Sequence, residues 1–159
     1  ETPALIAQGL VSYQASGMRQ NIYEQDGYHI YADCYNASPD AMEATLSVLG
    51  GMAGDGRRFA VLGSMLELGD YAEEGHRRAG RAAAQYADAL YAYGPDAAAM
   101  VAGAREKGME HAYAFDDQTA LVAALREDAK KGDALLFKGS RGMRMERALA
   151  MFLGEEVEA

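Results

Sequence analysis

The chain lacks the features that mark several classes of protein. Its 159 residues include a single cysteine, Cys34, which excludes an internal disulfide and is typical of the reducing cytoplasm. No apolar run reaches the roughly 18 residues needed to span a bilayer, and no signal peptide is recognisable. The 15 basic residues are outnumbered by 24 acidic ones, and a net charge of −9 argues against a nucleic-acid partner or an anionic membrane surface.

Common nucleotide-binding and metal-binding motifs are also missing. The sequence has neither a Gly-x-x-x-x-Gly-Lys-(Ser/Thr) phosphate loop nor a Gly-x-Gly-x-x-Gly turn. Its histidines, His29, His76 and His111, lie on three different predicted elements without ligand spacing, so no metal site is expected in this chain. These absences exclude a self-contained kinase or dehydrogenase.

Strand-like and helical segments alternate along the chain. Residues 18–23 and 28–33 flank an Asp-Gly turn and predict a hairpin, and further strands are predicted at 58–62, 88–93, 111–115 and 134–138. Strands joined by helices need right-handed crossovers. The pattern therefore predicts an α/β, Rossmann-like three-layer domain, whose mostly parallel sheet carries an N-terminal antiparallel hairpin. The predicted helices begin at Ser38, at Asp70 with Glu73 as a capping box, at Gly94, at Asp117 and at Ser140.

The segment Asp33-Cys34-Tyr35-Asn36-Ala37-Ser38-Pro39-Asp40 joins a strand to a helix. Ser38 suits the N-cap, Pro39 the first turn and Asp40 the positive end of the helix dipole. Asp33 would then stand at the carboxyl edge of the sheet, where ligands bind in open α/β folds and where a carboxylate typically accepts ribose hydroxyls. The alternative is an acid that caps a turn and binds nothing.

Two further segments carry chemical character, 62–69 (LGSMLELG) and 138–146 (KGSRGMRME). The second opens a local cluster of bases in an otherwise acidic chain: Lys138, Arg141, Arg144 and Arg147. Lys138, Ser140 and Arg141 lie where a strand is predicted to meet a helix N-terminus, and free N–H groups beside a lysine and a guanidinium make an anion site. The alternative is a helix start with solvated bases.

Taken together and in this order, the three segments resemble the C-terminal domain of the Mur ligases, from about residue 17 to about residue 153. The second and third are similar to the branch of that family that adds D-alanyl-D-alanine to UDP-N-acetylmuramoyl-tripeptide. The resemblance implies an ATP-dependent amide ligation through an acyl phosphate. It also implies Mg²⁺, held mostly by a preceding central domain that carries the phosphate loop, so the chain alone is expected to be inactive. Residues 1–16 would be the tail of that domain or a linker, 17–154 the C-terminal domain and 155–159 a tail.

The resemblance assigns roles to individual residues but no certain catalytic one. For the nucleotide, Asp33 matches the acid that binds the ribose, and Tyr35 is expected either to stack beside adenine or to pack in the core. The remaining matches are Arg19 near the ribose or phosphates, Asn36 near adenine, Glu67 on the dipeptide ammonium, His76 ordering that loop, and Lys138, Ser140 and Arg141 on the dipeptide carboxylate or the muramoyl peptide. Arg19, Glu67 and His76 have structural alternatives. Ala32 and Ser64 depart from the acids common in the family, and Ser64 weakens any catalytic role there.

Two alternatives for the function stay open at this point. One is another ligase of the superfamily, such as a folylpolyglutamate synthase, and the other is a non-catalytic nucleotide-binding module. The chain begins at Glu1 without methionine, which predicts a fragment of a longer protein, the alternative being a processed or tag-cleaved N-terminus.

Overall fold

The computed structural model describes residues 21–35, 37–52 and 54–156. The predicted site residues Arg19 and Asn36 lie outside these ranges, as do residues 18–20 of the predicted first strand. Within the described part of the chain, six strands form one sheet with five α-helices around it. The strands are β1 (Asn21–Gln25), β2 (Tyr28–Asp33), β3 (Arg58–Gly63), β4 (Ala89–Tyr93), β5 (Ala112–Phe115) and β6 (Ala134–Lys138), and the helices are α1 (Pro39–Leu49), α2 (Ala72–Tyr86), α3 (Ala97–Glu106), α4 (Gln118–Asp128) and α5 (Met145–Leu153).

The sheet has the strand order β1-β2-β6-β3-β4-β5, with β1 antiparallel to β2 and every other neighbouring pair parallel. The hairpin turn has positive φ at both central residues, 54° at Asp26 and 88° at Gly27. That conformation belongs to the type I′ turn, whose twist matches the strands that it joins. The predicted hairpin and the mostly parallel sheet are both confirmed.

Side-chain caps begin two of the helices, as the sequence predicts. The Ser38 hydroxyl accepts a hydrogen bond from the Ala41 amide at 3.2 Å, and Pro39 occupies the first turn of α1. The Asp117 carboxylate accepts from the amides of Thr119 (3.4 Å) and Ala120 (3.1 Å) at the start of α4. Each cap satisfies backbone donors that the first helical turn leaves without partners.

Three predicted helix starts are wrong. A 3₁₀ turn, Gly69–Tyr71, precedes α2, which begins at Ala72 with no side-chain cap, so Asp70 and Glu73 form no capping box. The segment after Gly94 turns before α3 begins at Ala97.

The third error concerns Ser140, which does not open the last helix. A second 3₁₀ turn, Arg141–Met143, follows Ser140, and Arg144 then adopts a left-handed conformation with φ of 52° and ψ of 50°. That conformation cannot continue a right-handed helix, so α5 begins only at Met145. The expected helix N-terminus beside Lys138 and Ser140 is therefore absent, and so is its dipole.

Two apolar clusters cover the two faces of the sheet and make the three layers. Helices α1, α2 and α3 pack on one face, and α4 and α5 on the other. The predicted methionine and leucine stripes lie in these clusters: Met42, Leu46 and Leu49 on α1, and Met145, Leu149 and Phe152 on α5. None of the described helices has the length and apolar character to cross a membrane.

Candidate functional site

The carboxyl edge of the sheet contains a point where neighbouring strands send their connections to opposite faces. Strand β6 lies between β2 and β3. The helices that follow β2 and β3 pack on one face, whereas the helix that follows β6 packs on the other. Loops that diverge in this way open a crevice, and ligands of open α/β sheets bind in such crevices. The three segments singled out in the sequence all leave strands at this edge.

Asp33 and Lys138 form a buried ion pair at the centre of this edge. They are register partners at the ends of β2 and β6, and Lys138 Nζ lies 2.5 Å from Asp33 Oδ2. Relative exposure is only 6% for Asp33 and 2% for Lys138. Burial raises the pKa of Asp33 above its ordinary value, while the hydrogen bond and charge of Lys138, and a hydrogen bond with Thr45, act in the opposite direction. Sequence spacing grouped Lys138 with Ser140 and Arg141 and indicated neither its pairing with Asp33 nor the nearby Thr45.

Tyr35 and Arg141 lie in contact on the solvent side of the same edge. The Arg141 guanidinium carbon is 5.3 Å from the centre of the Tyr35 ring, within cation–π range. Both side chains are exposed, so the core alternative for Tyr35 is wrong. The residue expected near adenine thus touches the residue expected at the substrate carboxylate, and the two predicted subsites adjoin.

The loop after β3 is held by side chains from two other elements. The Met65 amide donates to His76 Nε2 at 2.8 Å, and the Leu66 amide donates to the Ser140 hydroxyl at 2.8 Å. His76 is fully buried on α2, and Ser140 is buried after β6. The structure therefore places both residues as supports of this loop. Glu67 follows on the exposed side, with a left-handed φ of 69° that is uncommon for a residue other than glycine.

Ser64 connects this loop to the end of β4. Its hydroxyl donates to the Tyr93 carbonyl at 3.3 Å and accepts from the Asp96 amide at 3.1 Å. Ser64 is fully buried. A small buried hydroxyl at this position thus joins two loops.

A cavity of about 250 Å³ opens between α4 and the turn before α5. The side chains of Arg144 and Arg147 line it together with Tyr93 and Gln118. Gln118 Nε2 donates to the carbonyls of Met143 (2.9 Å) and Arg144 (3.1 Å), which holds the wall of the cavity in place. The basic cluster was visible in the sequence, but the cavity depends on α4, which is distant along the chain.

Comparison with known proteins identifies the family of this chain. Residues 18–141 match the family described as "Mur ligase, glutamate ligase domain". The chain belongs to this family. It is 36% identical over 147 residues to the UDP-N-acetylmuramoyl-tripeptide--D-alanyl-D-alanine ligase of Bacillus subtilis, covering 91% of this chain and 32% of that protein.

Solved structures agree with the sequence comparison. The MurF ligase of Thermotoga maritima, in complex with ADP, superposes with a TM-score of 0.74 at 34% identity, over 87% of this chain and 31% of that one. MurF of Acinetobacter baumannii gives a TM-score of 0.81 at 29% identity, over 98% of this chain and 34% of that one. The chain spans about a third of the length of these relatives. It matches one part of each of these longer ligases.

Proposed function

We propose that this chain is the C-terminal domain of a cytoplasmic ligase that joins D-alanyl-D-alanine to UDP-N-acetylmuramoyl-tripeptide in peptidoglycan synthesis, at the expense of ATP. The observation that carries the proposal is the convergence of the three sequence segments on one edge of the sheet, in a chain 36% identical to a ligase of that name. In such a ligation ATP activates the carboxylate of the muramoyl peptide as an acyl phosphate, which the dipeptide amine attacks. The domain's task is to bind and orient the reactants.

The nucleotide is assigned to Asp33 and Tyr35. A carboxylate accepts hydrogen bonds from adjacent hydroxyls, as a ribose requires, and an exposed aromatic ring offers a stacking surface to a base. A Thermotoga maritima relative was solved with ADP, which supports a nucleotide here. Among the described residues, no three His, Cys, Asp or Glu side chains come together. We therefore assign most of the Mg²⁺ coordination to the preceding domain.

The acceptor dipeptide is assigned to the exposed arginines that follow β6. Arg141 and the cavity lined by Arg144 and Arg147 present guanidinium groups, which bind carboxylates through paired N–H donors. In the described part of the chain, no carboxylate lies within ion-pair distance of these three arginines, whereas Arg77, Arg78 and Arg81 on α2 are all paired with acids. Glu67 is proposed to take the dipeptide ammonium, with His76 and Ser140 supporting its loop.

Ligation by the full-length protein tests this function. D-alanyl-D-alanine, ATP and UDP-N-acetylmuramoyl-tripeptide together should release phosphate and form the pentapeptide nucleotide, detected by mass spectrometry. Parallel reactions with tetrahydrofolate and glutamate test the folylpolyglutamate alternative. Phosphate release with that pair and none with the dipeptide would refute the proposal. Nucleotide binding without turnover on any of these substrates would favour the non-catalytic module instead.

Asp33→Asn tests the nucleotide assignment. Each hydrogen bond to a charged group contributes about 1.5–3 kcal/mol, so weakening the acceptor should raise the KM for ATP at least several-fold. The asparagine keeps the size of the side chain but removes the charge that faces buried Lys138, so thermal melting must show that the variant is folded. If a stably folded variant keeps the wild-type KM for ATP, Asp33 does not belong to the nucleotide site.

A further inference from the structure

We propose that Lys138 is a positioning residue for nucleotide binding, which holds the Asp33 carboxylate in the orientation that receives the ribose. This differs from the role expected from the sequence, in which Lys138 contacts a substrate carboxylate. The inference rests on the proposed function, because it requires Asp33 to lie in the nucleotide site.

The pairing geometry fixes the carboxylate. Lys138 and Asp33 face each other across the β2–β6 register, and the 2.5 Å contact uses one oxygen, Asp33 Oδ2. Thr45, buried on α1, acts on the same carboxylate and opposes the rise in pKa that burial causes. A carboxylate offers about four acceptor positions, so this arrangement orients the group and still leaves capacity for hydroxyl donors.

The pairing with Asp33 argues against direct contact between Lys138 and an anionic substrate. A buried charge needs an opposite charge beside it, and Asp33 lies beside Lys138, which is only 2% exposed. Arg141, three residues later, is exposed above Tyr35 and is the base that a substrate carboxylate can reach. The two bases of this motif therefore have separate tasks.

A double-mutant cycle in the full-length protein tests the proposal. Lys138→Met, Asp33→Asn and the double variant are compared for KM of ATP, KM of D-alanyl-D-alanine and kcat, and for ADP affinity by calorimetry. We expect Lys138→Met to raise the KM for ATP and the ADP dissociation constant about ten-fold or more, with the KM for the dipeptide within about two-fold of wild type. In the Asp33→Asn background, Lys138→Met should add less than about two-fold, because it acts through Asp33.

Further variants keep the test interpretable. Lys138→Arg retains the charge and should recover part of the ATP affinity. Lys130→Met removes an exposed lysine just before β6, at the opposite edge of the sheet, and should leave all constants unchanged. Thermal melting checks that each variant is folded, and Lys138→Gln, which also removes the charge, replaces Lys138→Met if the latter does not fold.

Three outcomes overturn the inference. A lower melting temperature with unchanged ATP and ADP constants makes Lys138 merely structural. A raised KM for the dipeptide alone makes it a substrate contact. Full additivity with Asp33→Asn shows that it does not act through Asp33. ADP affinity is measured without turnover, so these results remain separate from a failure of the proposed ligation, which the wild-type protein alone reveals.

Discussion

Replacing His76 by asparagine or by glutamine separates the contributions of its two ring nitrogens. Nδ1 lies 2.6 Å from the Ala72 carbonyl, and Nε2 faces the Met65 amide at 2.8 Å. A carbonyl only accepts and an amide N–H only donates, so the network assigns the hydrogen to Nδ1 and the lone pair to Nε2. In this network His76 donates to its own helix through Nδ1 and accepts from the loop after β3 at Nε2.

The two replacements differ in which of these bonds they keep. The side-chain oxygen of glutamine reaches about as far as Nε2 and can still accept from Met65, whereas asparagine reaches only about as far as Nδ1. His76→Asn therefore leaves the amide of Met65, a residue that is only 1% exposed, without an acceptor, at a cost of about 1–3 kcal/mol. Space left by the lost ring atoms adds to that, for a total of about 2–4 kcal/mol. His76→Gln should cost within about 1.5 kcal/mol.

Urea unfolding of the full-length protein measures the difference, and His111→Asn, at an exposed histidine, is the matched control. Steady-state kinetics add a second readout, because Glu67 sits on the supported loop. His76→Asn should raise the KM for D-alanyl-D-alanine several-fold and leave the KM for ATP within about two-fold. If asparagine is tolerated as well as glutamine, the Nε2 contact does not hold the loop.

Three other changes test separate parts of the structure. Arg141→Ala should weaken use of the dipeptide or the muramoyl peptide by about 1.5–3 kcal/mol and use of ATP far less, and Arg141→Lys should restore part of the loss. If both variants have wild-type kinetics, Arg141 has only a structural role. Gly80→Ala should destabilise the α2–α3 contact by at least about 1–3 kcal/mol in urea unfolding, because the added Cβ would meet the Met100 carbonyl oxygen at 1.9 Å; wild-type stability would contradict this close approach. Burial raises the pKa of Asp128, but hydrogen bonds from Tyr91 and Arg57 outweigh burial and leave that pKa lowered. Asp128→Asn should therefore be less stable than wild type at pH 7. Unfolding curves across pH should show this stability deficit shrinking below about pH 4, and a deficit that stays constant with pH would contradict the prediction.

Local chemistry predicted the parts of the fold that depend on neighbours in sequence. The Asp-Gly turn needs only two residues with positive φ, and the caps at Ser38 and Asp117 need only a side-chain oxygen within reach of the next amides. The predicted start at Ser140 failed for a tertiary reason. Its hydroxyl accepts from Leu66, which lies 74 residues earlier in the chain, and the backbone reaches α5 only through a left-handed residue.

The site was harder to predict because strand order decides which residues meet. The sequence placed Asp33 and Lys138 at the ends of two strands, but 105 residues separate them and nothing local shows that β6 inserts between β2 and β3. Once that order is known, the parallel register makes the two residues direct partners. The same insertion brings Ser140 beside the loop after β3.

The position of a base along its motif then explains its chemistry. Lys138 is the last residue of a buried strand, so the register fixes what its side chain meets, and a buried charge requires the opposite charge as its neighbour. Arg141 lies beyond the strand on an exposed turn, where no register applies and solvent or a ligand can reach the guanidinium. Sequence spacing treats both as bases near a helix start. The end of the strand lies between them. On this basis we propose that Lys138 holds Asp33 for the nucleotide and that Arg141 binds substrate.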